Sequence, residues 1–242
     1  MIQASVFILA AGSARRFNGT VKQLLPVNGE PIIRRMIRQV REHKPDAAIY
    51  IVTWHPELMF PDVNIINTIL QPEQLAHSML WSEPYWGPRN IFLLGDVIFG
   101  DRAIQMVLDY TGPLAVFGRD ECPIKGNERM ALSFPIWGKG AFLQLLHKSI
   151  PLFRNTALEN SGGICKVCLA TKPYWKMILT NCVQFRSIFY PLVRPFRDFF
   201  VWHVLGGPLW YPETFRTILI DDDITTDIDT PEEYAAFLEM GT

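Results

Sequence analysis

The segment that most restricts the fold lies at the start of the chain. Ser5-Val6-Phe7-Ile8-Leu9-Ala10 is an apolar run that ends in Ala11-Gly12. Such a run, without polar alternation, suits a strand buried on both faces. A loop follows over residues 11–22, with Gly12, Asn18 and Gly19 set among Arg15, Arg16 and Lys22. Pro31 then precedes Ile32, Ile33, Met36, Ile37 and Val40, an apolar stripe at helical spacing with proline at its start. A strand covered on both faces needs helices above and below its sheet.

The same alternation recurs along the chain. Residues 47–53 and 63–70 read as strands, and Ser78 as the cap of a helix running to about Glu83. Ile91 to Leu94 is a further buried strand that delivers Gly95-Asp96 at its carboxyl end. Ile104, Val107 and Leu108 mark a helix, and Leu114 to Phe117 a strand. Arg119 to Arg129, with Pro123 and Gly126, reads as an exposed loop. Strand–helix alternation predicts an α/β fold: a three-layer α/β/α, Rossmann-like domain with a mostly parallel sheet. One domain over residues 1–242 is expected, with 140–212, dense in aromatics and prolines, as an elaboration. Ligands in such sheets sit at the carboxyl ends of strands, where the Gly12 loop and Asp96 both fall.

Charge narrows the partners. A formal net charge of −1 provides no global basic field for nucleic acid or anionic lipid, so a small-molecule partner is expected. No run reaches the length of a membrane span, and Met1-Ile2-Gln3-Ala4-Ser5 lacks the cationic start of a secretory signal. Cys122, Cys165, Cys168 and Cys182 are accordingly read as reduced thiols in a cytoplasmic protein. Cys165 and Cys168 have zinc-like spacing but no second pair. The helix face of Arg34, Arg35, Arg38 and Arg41 reads as solvated. Trp175, Phe189, Phe196, Phe199, Trp202 and Trp210 are assigned to core packing or to self-association as a homodimer.

The loop over residues 10–22 has chemistry of its own. A turn of small residues (Ala10, Ala11, Gly12, Ser13) lets backbone amides approach phosphate oxygens. Arg16 can fork onto such oxygens, and Lys22 adds a movable point charge. The Gly-Lys-Ser/Thr ending of a Walker loop is missing, and Ala14 and Phe17 stand where a dinucleotide fingerprint has its later glycines. Cations inside the loop suit a polyphosphate.

Carboxylates gather in two places. Asp96 follows a strand, and Asp227 and Asp229 lie in Thr226-Asp227-Ile228-Asp229-Thr230-Pro231-Glu232-Glu233. In an extended segment Asp227 and Asp229 point the same way, and Mg²⁺ in nucleotide sites takes one or two carboxylates with phosphate oxygens. Thr230, Pro231 and Glu233 form a helix-start pattern with a capping box. From the residues alone, Asp229 fits a metal ligand and a second helix cap equally well.

These motifs together resemble the nucleotidyltransferase superfamily of GT-A-like fold. It includes sugar-phosphate nucleotidyltransferases, cytidylyltransferases and MobA-like, molybdopterin-cofactor nucleotidyltransferases. The carriers are Leu9-Ala10-Ala11-Gly12, Arg16, Lys22 before Leu24-Leu25-Pro26-Val27, and Gly29-Glu30-Pro31; the likeness is close over residues 5–40. The resemblance implies transfer of a nucleotidyl group from an NTP to a phosphorylated acceptor, a sugar 1-phosphate first among them. It implies Arg16 on the β- and γ-phosphates and Lys22 beside the α-phosphate and acceptor. Asp96 and Asp229 would hold Mg²⁺, with Asp227 as a neighbour. Gln71 and Ser78, flanking the loop after the third strand, would read the base or ribose. A glycosyltransferase of similar fold would carry a mid-chain Asp-x-Asp, and Ile98 stands at its second position.

Overall fold

The computed structural model describes residues 3–12, 17–69, 75–119, 128–140, 142–143, 146–147, 216–220 and 225–240. Strand β1 (Ala4–Leu9) is followed by the hairpin β2 (Pro26–Val27) and β3 (Glu30–Pro31), then by helix α1 (Ile32–His43). Next come β4 (Ala48–Thr53), β5 (Asn64–Asn67), α2 (Leu75–Trp81), β6 (Arg89–Leu94), β7 (Val97–Ile98) and α3 (Asp101–Asp109). The described remainder holds β8 (Ala115–Arg119), β9 (Glu128–Pro135), β10 (Arg216–Leu219), β11 (Thr226–Asp227) and a last helix, α4 (Pro231–Glu239).

Seven strands form one sheet in the order β10-β8-β9-β6-β1-β4-β5. Its pairs are parallel except those of β9, which runs antiparallel to both β6 and β8. β4 and β5 lie on one side of β1 and β6 on the other, so the direction of winding reverses at β1. A crevice opens at such a reversal, at the carboxyl ends of the strands.

Alternation along β1 explains the three layers. Val6 and Ile8 pack with Ile33, Met36, Ile37 and Val40 of α1 and with Ala103, Ile104, Val107 and Leu108 of α3. Phe7 and Leu9 face the opposite side, with Ala76 and Met79 of α2 and with Phe92, Phe134, Phe142 and Leu146. Phe142 and Leu146 are buried, so the first part of the 140–212 segment packs into the main core. The aromatics Trp175 to Trp210 and the four cysteines lie outside the described residues.

Several boundaries depart from expectation. Strand β5 stops at Asn67 because Ile69 takes a positive φ of 57°, a left-handed conformation that ends an extended run. The Ile69 amide donates to the Asn67 side chain at 2.9 Å. Ser78 does not cap a helix. It lies inside α2, buried, because the apolar side of that helix already begins at Leu75. The stretch read as a loop from Arg119 to Arg129 contains the end of β8 and the start of β9. Three of the four arginines of α1 are ion-paired: Arg34 and Arg41 with Asp62, and Arg38 with Glu30 and Glu42.

Candidate active site

A close approach of two strand ends brings Asp96 to the start of the Gly12 loop. The Gly95 amide donates to the Leu9 carbonyl at 3.0 Å. A Cβ on Gly95 would lie 3.0 Å from that oxygen and 3.1 Å from the Ala10 Cβ, so glycine lets the two strand ends run this close without displacement. Asp96 follows directly. Its carbonyl accepts from the Ile228 amide at 3.2 Å, and β11 pairs antiparallel with β7, Asp227 opposite Val97. The segment 227–229 therefore runs beside residues 96–98. Beneath them Phe17, Val27, Ile32, Ile98, Ile228 and Phe237 form one apolar cluster, which ties the loop, the hairpin, α1 and α4 together.

Lys22 begins a short 3₁₀ turn, Lys22–Leu24, and its ammonium lies among these elements. Nζ donates to Asp96 Oδ2 at 2.5 Å, to the Ile228 carbonyl at 2.8 Å and to Asp229 Oδ1 at 3.1 Å. Three acceptors match the three protons of an ammonium. The Lys22 side chain is only 13% exposed. Burial pulls its pKa down, but the charges of Asp96 and Asp229 and the hydrogen bonds to them outweigh that and raise it above the ordinary lysine value.

Asp229 is held from behind by α4. Glu233 Oε2 accepts from the Asp229 amide at 2.7 Å and from the Thr230 amide at 3.1 Å. The Thr230 hydroxyl accepts in return from the Glu233 amide at 3.2 Å, completing the expected capping box. The Tyr234 hydroxyl donates to the Pro26 carbonyl at 2.5 Å, tying the same helix to the hairpin that follows Lys22. Burial raises the pKa of the Tyr234 phenol.

The loop start is bound to β4. The Ala10 carbonyl accepts from Thr53 Oγ1 at 3.0 Å, the Ala11 carbonyl from Trp54 Nε1 at 3.1 Å and the Gly12 carbonyl from His55 Nε2 at 2.9 Å. The last contact requires a proton on Nε2. Gly12 is exposed, and nothing lies within 4 Å of a Cβ placed on it.

The structure thus brings Lys22, Asp96 and Asp229 into contact, and Ala10, Ala11 and Gly12 to the neighbouring strand end. Asp227 sits in register with Val97 and is not among the acceptors of Lys22. Ser78 is buried in α2. Ser13, Arg16 and Gln71 lie outside the described residues. Among the described residues no three His, Cys, Asp or Glu side chains form a metal-holding group. Asp96 and Asp229 nevertheless fit Mg²⁺, a hard cation that in nucleotide sites takes one or two carboxylates and completes its shell with phosphates and water. Thr53, Trp54, His55 and Tyr234 were not legible as site residues. The signal was three side-chain donors in a row after a buried strand.

Among the described residues, no helix is long and apolar enough to cross a membrane. Comparison with curated protein sequences gives no match. Among solved structures, the chain is similar to the CTP:phosphocholine cytidylyltransferase of Streptococcus pneumoniae, at 14% identity and a TM-score of 0.60, covering 100% of both chains. It is similar to Rv0371c of Mycobacterium tuberculosis at 16% identity and a TM-score of 0.55, covering 98% of each chain. A protein from Bacillus anthracis assigned as a glucose-1-phosphate thymidylyltransferase gives 14% identity and a TM-score of 0.54, over 98% of this chain and 94% of that one. At such identities the likeness is one of fold. A family model adds a match in sequence: residues 6–121, which hold the Gly12 loop, Lys22 and Asp96, match the MobA-like NTP transferase domain.

Proposed function

We propose that this protein transfers a nucleotidyl group from an NTP to a phosphorylated small-molecule acceptor, releasing pyrophosphate in a Mg²⁺-dependent reaction in the cytoplasm. The observation that carries the reading is the contact of Lys22 with Asp96 and Asp229, across 74 and 207 positions of sequence. A chain does not gather two carboxylates and a lysine beside an open glycine loop for packing alone, since each charge loses hydration there.

In the reaction, an acceptor phosphate oxygen attacks the α-phosphorus of the NTP in line. The bond from that phosphorus to the α,β-bridging oxygen breaks, and pyrophosphate leaves with the electron pair. Positioning and charge neutralisation supply the catalysis, without a covalent enzyme intermediate. Lys22 exchanges one of its protein acceptors for an α-phosphate oxygen and offsets the meeting of two anions. Arg16 holds the departing pyrophosphate, and the turn from Ala10 to Ser13 cradles phosphate oxygens. Bound at Asp96 and Asp229, Mg²⁺ supplies charge neutralisation for the phosphate oxygens.

A sugar 1-phosphate leads as the acceptor, with the Bacillus anthracis neighbour in its favour. Phosphocholine is the alternative that the Streptococcus pneumoniae neighbour suggests. Gln71 is assigned to the base or ribose, and residues 140–212 to the acceptor side or an interface of a single domain. Four NTPs crossed with sugar 1-phosphates, phosphocholine and polyol phosphates, read by pyrophosphate release, test the proposal. Release that needs one NTP and one acceptor together is expected. A matrix with no release in any cell would end it.

A further inference from the structure

We infer that Thr53, Trp54 and His55 are positioning residues that preset the phosphate loop before any ligand arrives. The inference rests on the nucleotidyl-transfer reading and adds three residues to its machinery. β1 and β4 are parallel, with Leu9 opposite Val52, and the last backbone bond of that edge runs from the Ala10 amide to the Val52 carbonyl at 2.9 Å. Beyond it the register continues unchanged: Ala10 with Thr53, Ala11 with Trp54, Gly12 with His55, each pair 43 positions apart. Side chains have replaced the backbone as donors.

A regular strand sends successive side chains to opposite faces, so three neighbours cannot all reach one strand without a turn. The Thr53 hydroxyl makes that turn. It accepts from the His55 amide at 3.0 Å while donating to the Ala10 carbonyl. The Trp54 and His55 rings then pack with centroids 4.3 Å apart. Thr53 and His55 are buried, and Trp54 is half-buried, so water competes poorly for these bonds.

The peptide plane converts this into a binding device. Within one trans peptide the carbonyl and the following amide point in opposite directions. Holding the Ala10 and Ala11 carbonyls toward β4 therefore aims the amides of Ala11 and Gly12 away from it. Among the described residues, neither amide has an acceptor. Consecutive amides held in this way form an anion-binding concavity, and holding them beforehand removes the ordering cost of closing a loop on its ligand.

Inorganic tripolyphosphate with Mg²⁺ probes this loop whatever the base of the NTP. Calorimetric titration of the full chain should give roughly tenfold weaker binding for His55→Phe, the size of one lost hydrogen bond. His55→Gln, which keeps a donor, should restore affinity to within about threefold. Trp54→Phe, at a half-buried position that tolerates the exchange, should show the same loss with an unchanged thermal midpoint. Wild-type affinity in both Phe variants would overturn the inference, as would a His55→Gln protein that binds as weakly as His55→Phe. A wild-type protein that ignores tripolyphosphate would instead remove the nucleotidyl-transfer reading beneath it.

Discussion

Lys22 Nζ lies 2.5 Å from Asp96 Oδ2 and 3.1 Å from Asp229 Oδ1, so one ammonium neutralises two carboxylates from distant parts of the chain. A divalent cation bound at these carboxylates would compete with the lysine for their oxygens. Lys22→Met should lower pyrophosphate release by about 10²–10³-fold. It should also tighten Mg²⁺ binding to the nucleotide-free protein, because two facing carboxylates lose their only shared cation among the described residues. Calorimetry of Mg²⁺ against both proteins checks this; equal affinities would separate Asp229 from the metal role.

The same contact predicts an alkaline instability. The folded pKa of Lys22 is raised above the ordinary 10.5, so its contribution to stability is fully present below that pH. It is lost as the pH rises through the higher folded value. Thermal midpoints of wild type and Lys22→Met, followed upward from pH 10.5, should converge. Curves that stay parallel would mean that the pair adds nothing to the folded state.

Gly95→Ala and Asp96→Asn should differ in kind. The alanine Cβ would meet the Leu9 carbonyl at 3.0 Å and Ile8 Cγ2 at 3.3 Å, both on a central strand paired on each side. A loss of about 1–3 kcal/mol is expected, visible in urea denaturation, together with lower turnover. Asp96→Asn keeps the shape and removes the charge, so turnover should fall while the fold persists. Near-normal turnover in Asp96→Asn would remove that residue from the reaction.

Glu233 links helix stability to Asp229, the proposed metal carboxylate. Glu233→Ala removes the acceptor of the Asp229 and Thr230 amides, at a cost of about 1 kcal/mol. The Mg²⁺ concentration for half-maximal rate should rise as Asp229 loosens, and Glu233→Gln should recover most of both effects. Loss of stability with an unchanged Mg²⁺ requirement would confine Glu233 to capping.

The outer face of α1 should be silent in catalysis. Glu30, Arg34, Ile37, Arg38, Arg41 and Glu42 line a groove of about 370 Å³, and most of them pair with one another or with Asp62. Hydrogen bonding from Arg34, opposed by burial and reinforced by Arg41, holds the Asp62 carboxyl below its ordinary pKa. These charges are well exposed, and Arg38→Ala should cost under about 1 kcal/mol and leave turnover unchanged. A large drop in turnover would make this groove part of the reaction path.

What the sequence discloses follows from how local each feature is. The apolar run of β1, the stripe of α1 and the capping box before α4 each depend on neighbours within a few positions, and all were legible. The Lys22–Asp96–Asp229 contact is long-range, and those residues were found because their motifs resemble a family. β9 escaped because an antiparallel return carries no helical crossover to announce it. The pairs of Arg34 and Arg41 escaped too, since Asp62 lies far along the chain from the arginines it holds. The Thr53–His55 clamp depends on a register between two strands, which no single segment encodes.

The cluster of Phe17, Ile98, Ile228 and Phe237 has a consequence for synthesis on the ribosome. Lys22 and Asp96 emerge early, yet the floor that seats them is finished only when Phe237 joins it. On the proposed reading, a nascent chain that has paired much of its sheet still lacks the complete floor beneath Lys22 until α4 has joined it.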